Sequence, residues 1–201
     1  MSAQEFAVVA MGACVLLAVG AGAGEFVRLI RSVRESEERL ERLERLASTD
    51  DLTGLPNRRR WEEELPRELG RSLRYDEPVC VAMLDLDHFK EYNDAYGHQV
   101  GDRLLKDVAA AWREVLRPYD LLARWGGEEF GLILAGSDLE EGIGVIERLR
   151  RATPDGISCS AGIAEWDRNE YPKRLVGRAD EALYEAKRSG RDQTIATPLA
   201  H

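Results

Sequence analysis

The chain has 201 residues and a formal net charge of -9, which fits one globular domain with an appendage. This acidic balance argues against a nucleic-acid-binding protein, because such a protein normally presents a basic face. Cys14, Cys80 and Cys159 form an odd, widely spaced set in apolar runs, which indicates buried thiols rather than disulfides, and the three histidines lack the spacing of a zinc site.

The first predicted element is a membrane anchor. Residues 6–24 are nineteen uncharged residues rich in Ala, Val, Leu and Gly. A helix of that length spans roughly 28 Å, which is close to the thickness of the hydrocarbon core of a bilayer. Three arginines follow, the first at Arg28, so the positive-inside rule places the C-terminal body in the cytoplasm. A cleaved signal peptide is the alternative, but its usual basic start is missing, and we expect residues 1–27 to be a transmembrane anchor.

The second predicted element is a coiled coil over residues 28–47. Its apolar positions are spaced 4-3-4-3-4, which is typical of a heptad seam. Arg39 and Glu44 then fall where they attract each other across a parallel dimer. The seam is short, and Ser36 weakens it because a polar residue occupies an apolar position. The alternative is an amphipathic helix that packs on its own domain. We favour the dimer, because this helix continues directly from the membrane span.

From residue 48 onward, helical and strand patterns alternate without a repeat. Helices are expected at about 58–73, at a short segment around 89–96, and at 100–116, 139–151 and 172–188. Strands are expected at 78–86, in a hairpin over 121–135, and at 157–166 and 193–196. Asn57 is the expected N-cap of the first helix. This alternation predicts a single α/β domain over residues 48–201, with helices on the faces of one sheet.

The hairpin contains the most informative segment of the chain, RWGGEEF at residues 124–130. Apolar runs on both sides predict two strands joined by a Gly-Gly turn. Glu128 and Glu129 begin the second strand beside this turn, which has no side chains. Carboxylates in that position can bind a divalent cation while a ligand lies against bare backbone. A solvated hairpin tip is the alternative for these seven residues taken alone.

A second acidic segment closes the strand expected at 78–86. If that strand is central, Asp85 emerges at the edge of the sheet where ligands of α/β proteins bind. Strand alternation points Asp85 and Asp87 to one side, and a central sheet buries acids only beside a partner or a metal. Lys90 follows within reach of a phosphate group.

Two polar residues further along the chain match the edge of a guanine base. Asn93 offers an amide and Asp102 offers a carboxylate, and both lie close to glycines that break the helical pattern. The alternative is that both are ordinary loop and N-cap residues around Gly97 and Gly101.

Taken together, these segments resemble the GGDEF family of diguanylate cyclases. The resemblance covers about residues 48–196 and rests on five ordered motifs at 51–59, 85–90, 93–102, 124–130 and 179–191. It implies an α/β fold similar to the palm of adenylyl cyclases and polymerases, with a central, mostly antiparallel sheet. It also implies the conversion of two GTP into cyclic di-GMP and two pyrophosphates. Because one chain carries one catalytic set, we expect a homodimer, and the predicted anchor places it in the bacterial inner membrane with its catalytic domains in the cytoplasm.

The resemblance assigns roles residue by residue. It implies two Mg²⁺ per active site, with Mn²⁺ as a substitute, bound by Asp85, the Leu86 carbonyl, Glu128 and Glu129. Glu128, Glu129 and Lys90 are the implied catalytic residues, and Glu128 is the family's usual candidate for proton acceptor. The implied substrate contacts are Asn93, His98, Asp102, Phe89, Gly126, Gly127, Lys187 and Arg191. For Lys187 and Arg191, a solvated basic helix end is the alternative.

Arg117 and Asp120 match the RxxD motif of the same family, and five residues separate Asp120 from Gly126. The motif implies that cyclic di-GMP, the product, also binds there as an inhibitor. A domain without turnover that binds cyclic di-GMP at this motif is the second functional hypothesis. Another nucleotide cyclase, which uses ATP, is the third. A receptor would not need Asp85, Glu128, Lys90 and Asn93 together, which favours the cyclase. The guanine-reading pair Asn93 and Asp102 disfavours ATP.

Overall fold

The computed structural model of the protein describes Arg31, Arg34, residues 48–154 and residues 156–197. The predicted membrane segment at 6–24, and the predicted coiled coil at 28–47 apart from those two arginines, lie outside the described residues. Across the described ranges, no helix is both long enough and apolar enough to cross a membrane. The described residues from Ser48 onward form one compact unit.

The elements of this unit alternate along the chain as the sequence predicts. The helices are α1 (Arg58–Tyr75), α2 (Phe89–Tyr96), α3 (His98–Val115), α4 (Leu139–Ala152) and α5 (Pro172–Arg188). The strands are β1 (Val79–Leu86), β2 (Leu121–Gly126), β3 (Glu129–Ala135), β4 (Cys159–Glu165) and β5 (Thr194–Thr197). Each predicted element is confirmed, and its boundaries agree with the prediction to within two residues.

The strands form one five-stranded sheet in the order β2-β3-β1-β4-β5. The pairs β2–β3, β3–β1 and β1–β4 are antiparallel, and β4–β5 is parallel. The expectation of a central, mostly antiparallel sheet is therefore confirmed. Strand β1 lies in the middle of the sheet and is buried along its whole length.

The side chains of β1 alternate between two apolar cores, one on each face of the sheet. Even-numbered residues from Cys80 to Leu86 pack with α3 and α4, whereas Val79, Val81 and Met83 pack with α1 and α5. Asp85 continues the odd-numbered row, so its carboxylate lies on the face that α1 and α5 cover. The core thus ends in an acid at the carboxyl end of its central strand.

Local sequence explains why the two helices on this face begin and pack where they do. The Asn57 side chain accepts a hydrogen bond from the backbone N–H of Arg60 at 3.1 Å, which confirms the predicted N-cap of α1. Helix α5 begins at Pro172, whose fixed φ suits the first helical turn. It then packs directly on β4, because a Cβ on Gly162 would lie 2.1 Å from the Ala179 carbonyl oxygen.

Candidate active site

The Gly-Gly turn lies at the end of the β2–β3 hairpin, as predicted. Gly127 has φ +56°, a left-handed conformation that glycine adopts without strain. A Cβ atom built on Gly126 or Gly127 would meet no heavy atom within 4 Å. The backbone of the turn therefore faces open space, which leaves room for a ligand against it.

Three acidic residues lie near this turn. Asp85 in β1 pairs directly with Glu129 in β3, and the backbone N–H of Leu86 donates to the carbonyl of Glu128 at 3.3 Å. Burial raises the pKa of Asp85 to about 6; a hydrogen bond from Lys187 opposes that shift, and the charges of Glu128 and Glu129 add to it. The register of the sheet thus brings negative charge together at the carboxyl end of β1.

Lys187 reaches this cluster from the last turn of α5. Its Nζ lies 2.7 Å from Oδ2 of Asp85, and 31% of the Lys187 side chain is exposed. This contact places the Lys187 ammonium group at the end of β1. Lys187 is therefore not simply a solvated basic residue at a helix end. The same position suits a contact to the phosphates of a nucleotide.

The donor set fits a divalent cation. Among the residues that the structure describes, no three Asp, Glu, His or Cys side chains lie close enough together to form a ready-made metal site. Asp85, Glu128 and Glu129 are nevertheless close enough that the two glutamates raise the pKa of Asp85. All three offer the oxygen ligands that Mg²⁺ prefers. A cation between them would relieve this mutual repulsion.

Helices α2 and α3 bring the predicted guanine contacts together. A Cβ on Gly101 would lie 1.8 Å from Oδ1 of Asn93, so this glycine lets the Asn93 side chain lie against α3. Asp102 is the next residue on α3 and is exposed, as is His98 in the first turn. The buried Oδ1 of Asn93 has no hydrogen-bond partner within the described structure.

The two remaining predicted residues of this region differ in their surroundings. Lys90 is exposed on the first turn of α2, where its amine is accessible to a phosphate. Phe89 is buried in the core that α3 and α4 share, where only 7% of its surface is exposed. The Phe89 ring therefore packs α2 against the sheet, and the substrate contact expected for Phe89 stays a prediction.

The hairpin is held in place by a residue that the sequence did not single out. Both carboxylate oxygens of Asp50 accept from Nη1 of Arg124 at 3.1 Å, and Nε of Arg124 donates to the Gly127 carbonyl at 2.9 Å. Asp50 also accepts from the backbone N–H and the hydroxyl of Thr53. The Asp-x-x-Thr spacing was a usable local signal, but its link to Arg124 depends on tertiary packing.

Trp125, within the hairpin motif, and Gly131, just after it, pack against each other. A Cβ on Gly131 would lie 3.0 Å from the Trp125 ring and 3.1 Å from that of Trp61. The two tryptophan rings make an edge-to-face contact with centroids 4.8 Å apart, and the Arg58 guanidinium lies over Trp125 at 4.6 Å. The glycine makes room for these rings, so the pair stabilises the hairpin without using a catalytic group.

The predicted inhibitory motif lies at the turn before β2, away from the carboxylates. The backbone N–H of Arg117 donates to Oδ2 of Asp120 at 2.9 Å, whereas the buried Oδ1 of Asp120 has no partner in the described structure. Burial raises the pKa of Asp120. The Arg117 guanidinium is exposed, 5.9 Å from the centroid of the Tyr119 ring. These groups border an open groove of about 320 Å³.

Comparison with known proteins identifies the domain. Residues 47–193 match the family model described as "Diguanylate cyclase, GGDEF domain". Diguanylate cyclase DgcP of Pseudomonas aeruginosa is 46% identical over 157 residues, which cover 73% of this chain and 23% of that protein. The chain therefore spans less than a quarter of the length of this relative.

Solved structures agree with this match. The coiled coil and GGDEF domain of DgcB from Caulobacter crescentus, in complex with cyclic di-GMP, superposes with a TM-score of 0.77 at 34% identity, covering 85% of this chain and 98% of that one. The active GGEEF domain of a diguanylate cyclase from Vibrio cholerae gives a TM-score of 0.68 at 27% identity, covering 72% and 98%. The prediction of a diguanylate cyclase domain is confirmed at the level of the family. This chain belongs to the GGDEF-domain diguanylate cyclase family.

Proposed function

We propose that this protein is a diguanylate cyclase that condenses two GTP molecules into cyclic di-GMP and two pyrophosphates. The observation that carries the proposal is the carboxylate cluster at the end of the central strand. Asp85 pairs with Glu129, lies next to Glu128, and contacts Lys187. Acids beside a cation and an open glycine turn suit the transfer of a nucleotidyl group.

The proposed metal ligands are Asp85, the Leu86 carbonyl, Glu128 and Glu129. Two Mg²⁺ ions, or Mn²⁺ in their place, would supply charge neutralisation at the triphosphate and at the attacking oxygen. Lys90, Lys187 and Arg191 are the proposed phosphate contacts, and they balance the charge that builds up during transfer. Their cationic side chains offset the repulsion between an acidic site and an anionic substrate.

The guanine base is proposed to bind between α2 and α3. Asn93 and Asp102 present an amide and a carboxylate to the base edge, and His98 lies in the first turn of the same helix. The triphosphate then extends toward Gly126 and Gly127, where no side chain blocks the turn. This arrangement favours GTP over ATP, because the adenine edge has a different order of donors and acceptors.

In the proposed reaction, the 3′-oxygen of one GTP attacks the α-phosphorus of the other, and pyrophosphate leaves. The proton of the 3′-hydroxyl passes to a carboxylate at the start of β3. Glu128 is the first candidate, because it lies in the turn and is half-buried, and Glu129 is the second. The same transfer, repeated with the two roles exchanged, closes the ring.

Two chains are required, because each contributes one site and the product contains two guanylate units. We propose that residues 28–47 form a parallel coiled coil that joins the two domains, and that residues 6–24 anchor the dimer in the inner membrane with the catalytic domains in the cytoplasm. We further propose that cyclic di-GMP binds at Arg117 and Asp120 and inhibits turnover.

Product analysis tests the main proposal. Purified protein is incubated with Mg²⁺ and either GTP or ATP, and the products are identified by mass spectrometry. We expect cyclic di-GMP from GTP only, and a loss of at least about 100-fold in turnover for Asp85→Ala or Glu128→Ala, since each removes a charged group at the reacting phosphate. Wild-type rates in both variants would contradict the proposal.

Binding without turnover is the second candidate function, and the Asp120 groove favours it. A carboxylate at Asp120 and the exposed Arg117 guanidinium are the groups that pair with a guanine edge. A receptor would bind cyclic di-GMP and lose that binding in Arg117→Ala, yet would form no product from GTP.

A further inference from the structure

A buried carboxylate next to the proposed active site has no part in the proposed reaction. Asp87 follows the last residue of β1 and is 2% exposed. Its Oδ1 accepts from the Ser160 hydroxyl at 2.6 Å, and its Oδ2 accepts from the Ser158 hydroxyl at 2.7 Å and from the backbone N–H of Asp192 at 3.1 Å. Three donors occupy both oxygens, which argues against a role as a metal ligand.

One of these donors belongs to the loop that carries Arg191. Gly190, Arg191 and Asp192 have φ values of +116°, +63° and +45°. Residues other than glycine hold left-handed conformations only where surrounding contacts stabilise them. Here the N–H of Arg191 donates to the Ala186 carbonyl at 3.0 Å, and the N–H of Asp192 donates to Asp87.

The other side of the loop is held by Arg150 of α4. Its Nη2 donates to the carbonyl and, at 2.6 Å, to the carboxylate of Asp192. The same guanidinium donates to the Cys159 carbonyl at 3.0 Å and to the Glu147 carboxylate. Asp192 is therefore held from two directions, by Asp87 just after β1 and by Arg150 of α4. This fixes the backbone from which the Arg191 side chain projects.

Arg191 lies at the same edge of the sheet as the other proposed phosphate contacts. The backbone N–H of Glu91 on α2 makes the largest contribution to lowering the pKa of that carboxyl, and His88 lowers it further. The charge of Arg191 also lowers this pKa, so Arg191 lies near Glu91. Lys187, four residues before Arg191, contacts Asp85. The loop thus holds a second cation close to the first turn of α2.

We propose that Asp87 is a positioning residue for substrate binding: it holds the backbone of Asp192 and thereby places the Arg191 guanidinium where it binds the phosphates of GTP. The inference rests on the proposed function, because it takes Arg191 as a phosphate contact. It adds a residue that touches no substrate and acts only through the loop.

Steady-state kinetics with GTP as the varied substrate test this role. Asp87→Ala removes all three acceptor bonds, and Asp87→Asn is a milder second variant in case the first does not fold. We expect KM for GTP to rise about tenfold or more in Asp87→Ala, while kcat changes less. The bond weakened is the one between the Arg191 guanidinium and a phosphate, and a hydrogen bond between charged groups contributes about that much to binding. Ser160→Ala is the matched control: it removes one bond to Asp87 but leaves the Asp192 bond, and its KM should stay within about twofold of wild type.

A double-mutant cycle separates positioning from general damage. If Asp87 acts through Arg191, then adding Asp87→Asn to Arg191→Ala should change KM by less than about twofold, because the group it positions is already gone. An equal rise of KM in both backgrounds would overturn the proposal, as would unchanged KM in both Asp87 variants.

Hydrogen exchange distinguishes failure of this inference from failure of the proposed function. In Asp87→Asn the backbone amide of Asp192 should exchange at least about tenfold faster than in wild type. In Ser160→Ala the same amide should exchange at the wild-type rate. Unchanged exchange at Asp192 overturns the positioning role even if the protein is an active cyclase. Faster exchange, in a protein that forms no cyclic di-GMP, supports the positioning of the loop and rejects the cyclase.

Discussion

The Asp85 carboxylate is held where its ionisation is opposed by the fold. It lies at the end of a fully buried strand, and two glutamates nearby add negative charge. Lys187 compensates for only part of this cost, since the pKa of Asp85 remains raised to about 6. A binding site for a cation needs such an arrangement, because charge that is unfavourable in the free protein becomes favourable when the ligand binds.

This balance predicts a stabilising substitution. In buffer without divalent cations at pH 7, Asp85→Asn should raise the free energy of unfolding by roughly 1–3 kcal/mol, because one unit of pKa shift corresponds to about 1.4 kcal/mol. The folded pKa lies above the unfolded value of about 4, so the folded protein binds more protons between these pH values and loses stability as the pH rises through them. The advantage of Asp85→Asn should therefore shrink as the pH falls from 6 to 4.

Urea denaturation at several pH values measures this difference. Asp107→Asn, at an exposed position of α3, is the matched control and should leave stability within about 0.5 kcal/mol. Adding Mg²⁺ at pH 7 should stabilise the wild type and narrow the gap to Asp85→Asn. A variant that is less stable than wild type at pH 7 would contradict this account of Asp85.

At the scale of elements, the packing of α5 on β4 places Lys187 beside Asp85. Gly162 is what allows it, because a Cβ there would lie 2.1 Å from both the Ala179 carbonyl oxygen and the Leu183 nitrogen. These are backbone atoms, so they cannot rotate away as a side chain would. Any larger residue must push the helix from the sheet, and Lys187 with it.

We therefore expect Gly162→Ala to lower the free energy of unfolding by about 3 kcal/mol, through overpacking between a helix and a sheet. Turnover per folded molecule should fall too, because Lys187 moves away from Asp85. Gly177→Ala on the same helix is the control: no heavy atom lies within 4 Å of its Cβ, and it should gain about 0.5–1 kcal/mol from helix propensity. Equal stability of the two variants, by urea midpoint, would refute the close contact at Gly162.

At the scale of the whole molecule, the proposed reaction needs two copies of the domain. One chain carries one carboxylate cluster around Asp85, one hairpin motif and one pair of proposed guanine contacts, whereas the proposed product contains two guanylate units. Tethering two domains through residues 28–47 would raise their effective concentration toward the millimolar range. The proposed membrane anchor at residues 6–24 would add to this by confining both chains to a surface.

Removing residues 1–47 should accordingly make activity depend on concentration. Below the dissociation constant of the dimer, the specific activity of the remaining domain should fall about tenfold for each tenfold dilution, since the dimer is a second-order product. The full chain in detergent should keep its specific activity over the same range. Replacing 28–47 by an unrelated parallel dimeric coiled coil is the control and should restore it. Constant specific activity of the truncated domain would rule out the tether.

Sequence patterns were sufficient for the elements of this fold. Helix α5 begins and ends where its pattern predicts, and Asn57 caps α1 as expected, because periodicity and capping are properties of neighbouring residues. The motif at residues 124–130 also identified its own hairpin, since a Gly-Gly pair between apolar runs determines a turn locally.

Other features were decided only by the tertiary structure. Asp87 accepts from the N–H of Asp192, 105 residues later in the chain, and Arg124 binds Asp50. The Phe89 ring packs in the core with residues of α3 and α4, far along the chain. Sequence alone determined which chemical groups this protein has and the elements that carry them. Strand register and helix packing decided which of those groups meet, because both join residues that no local pattern connects.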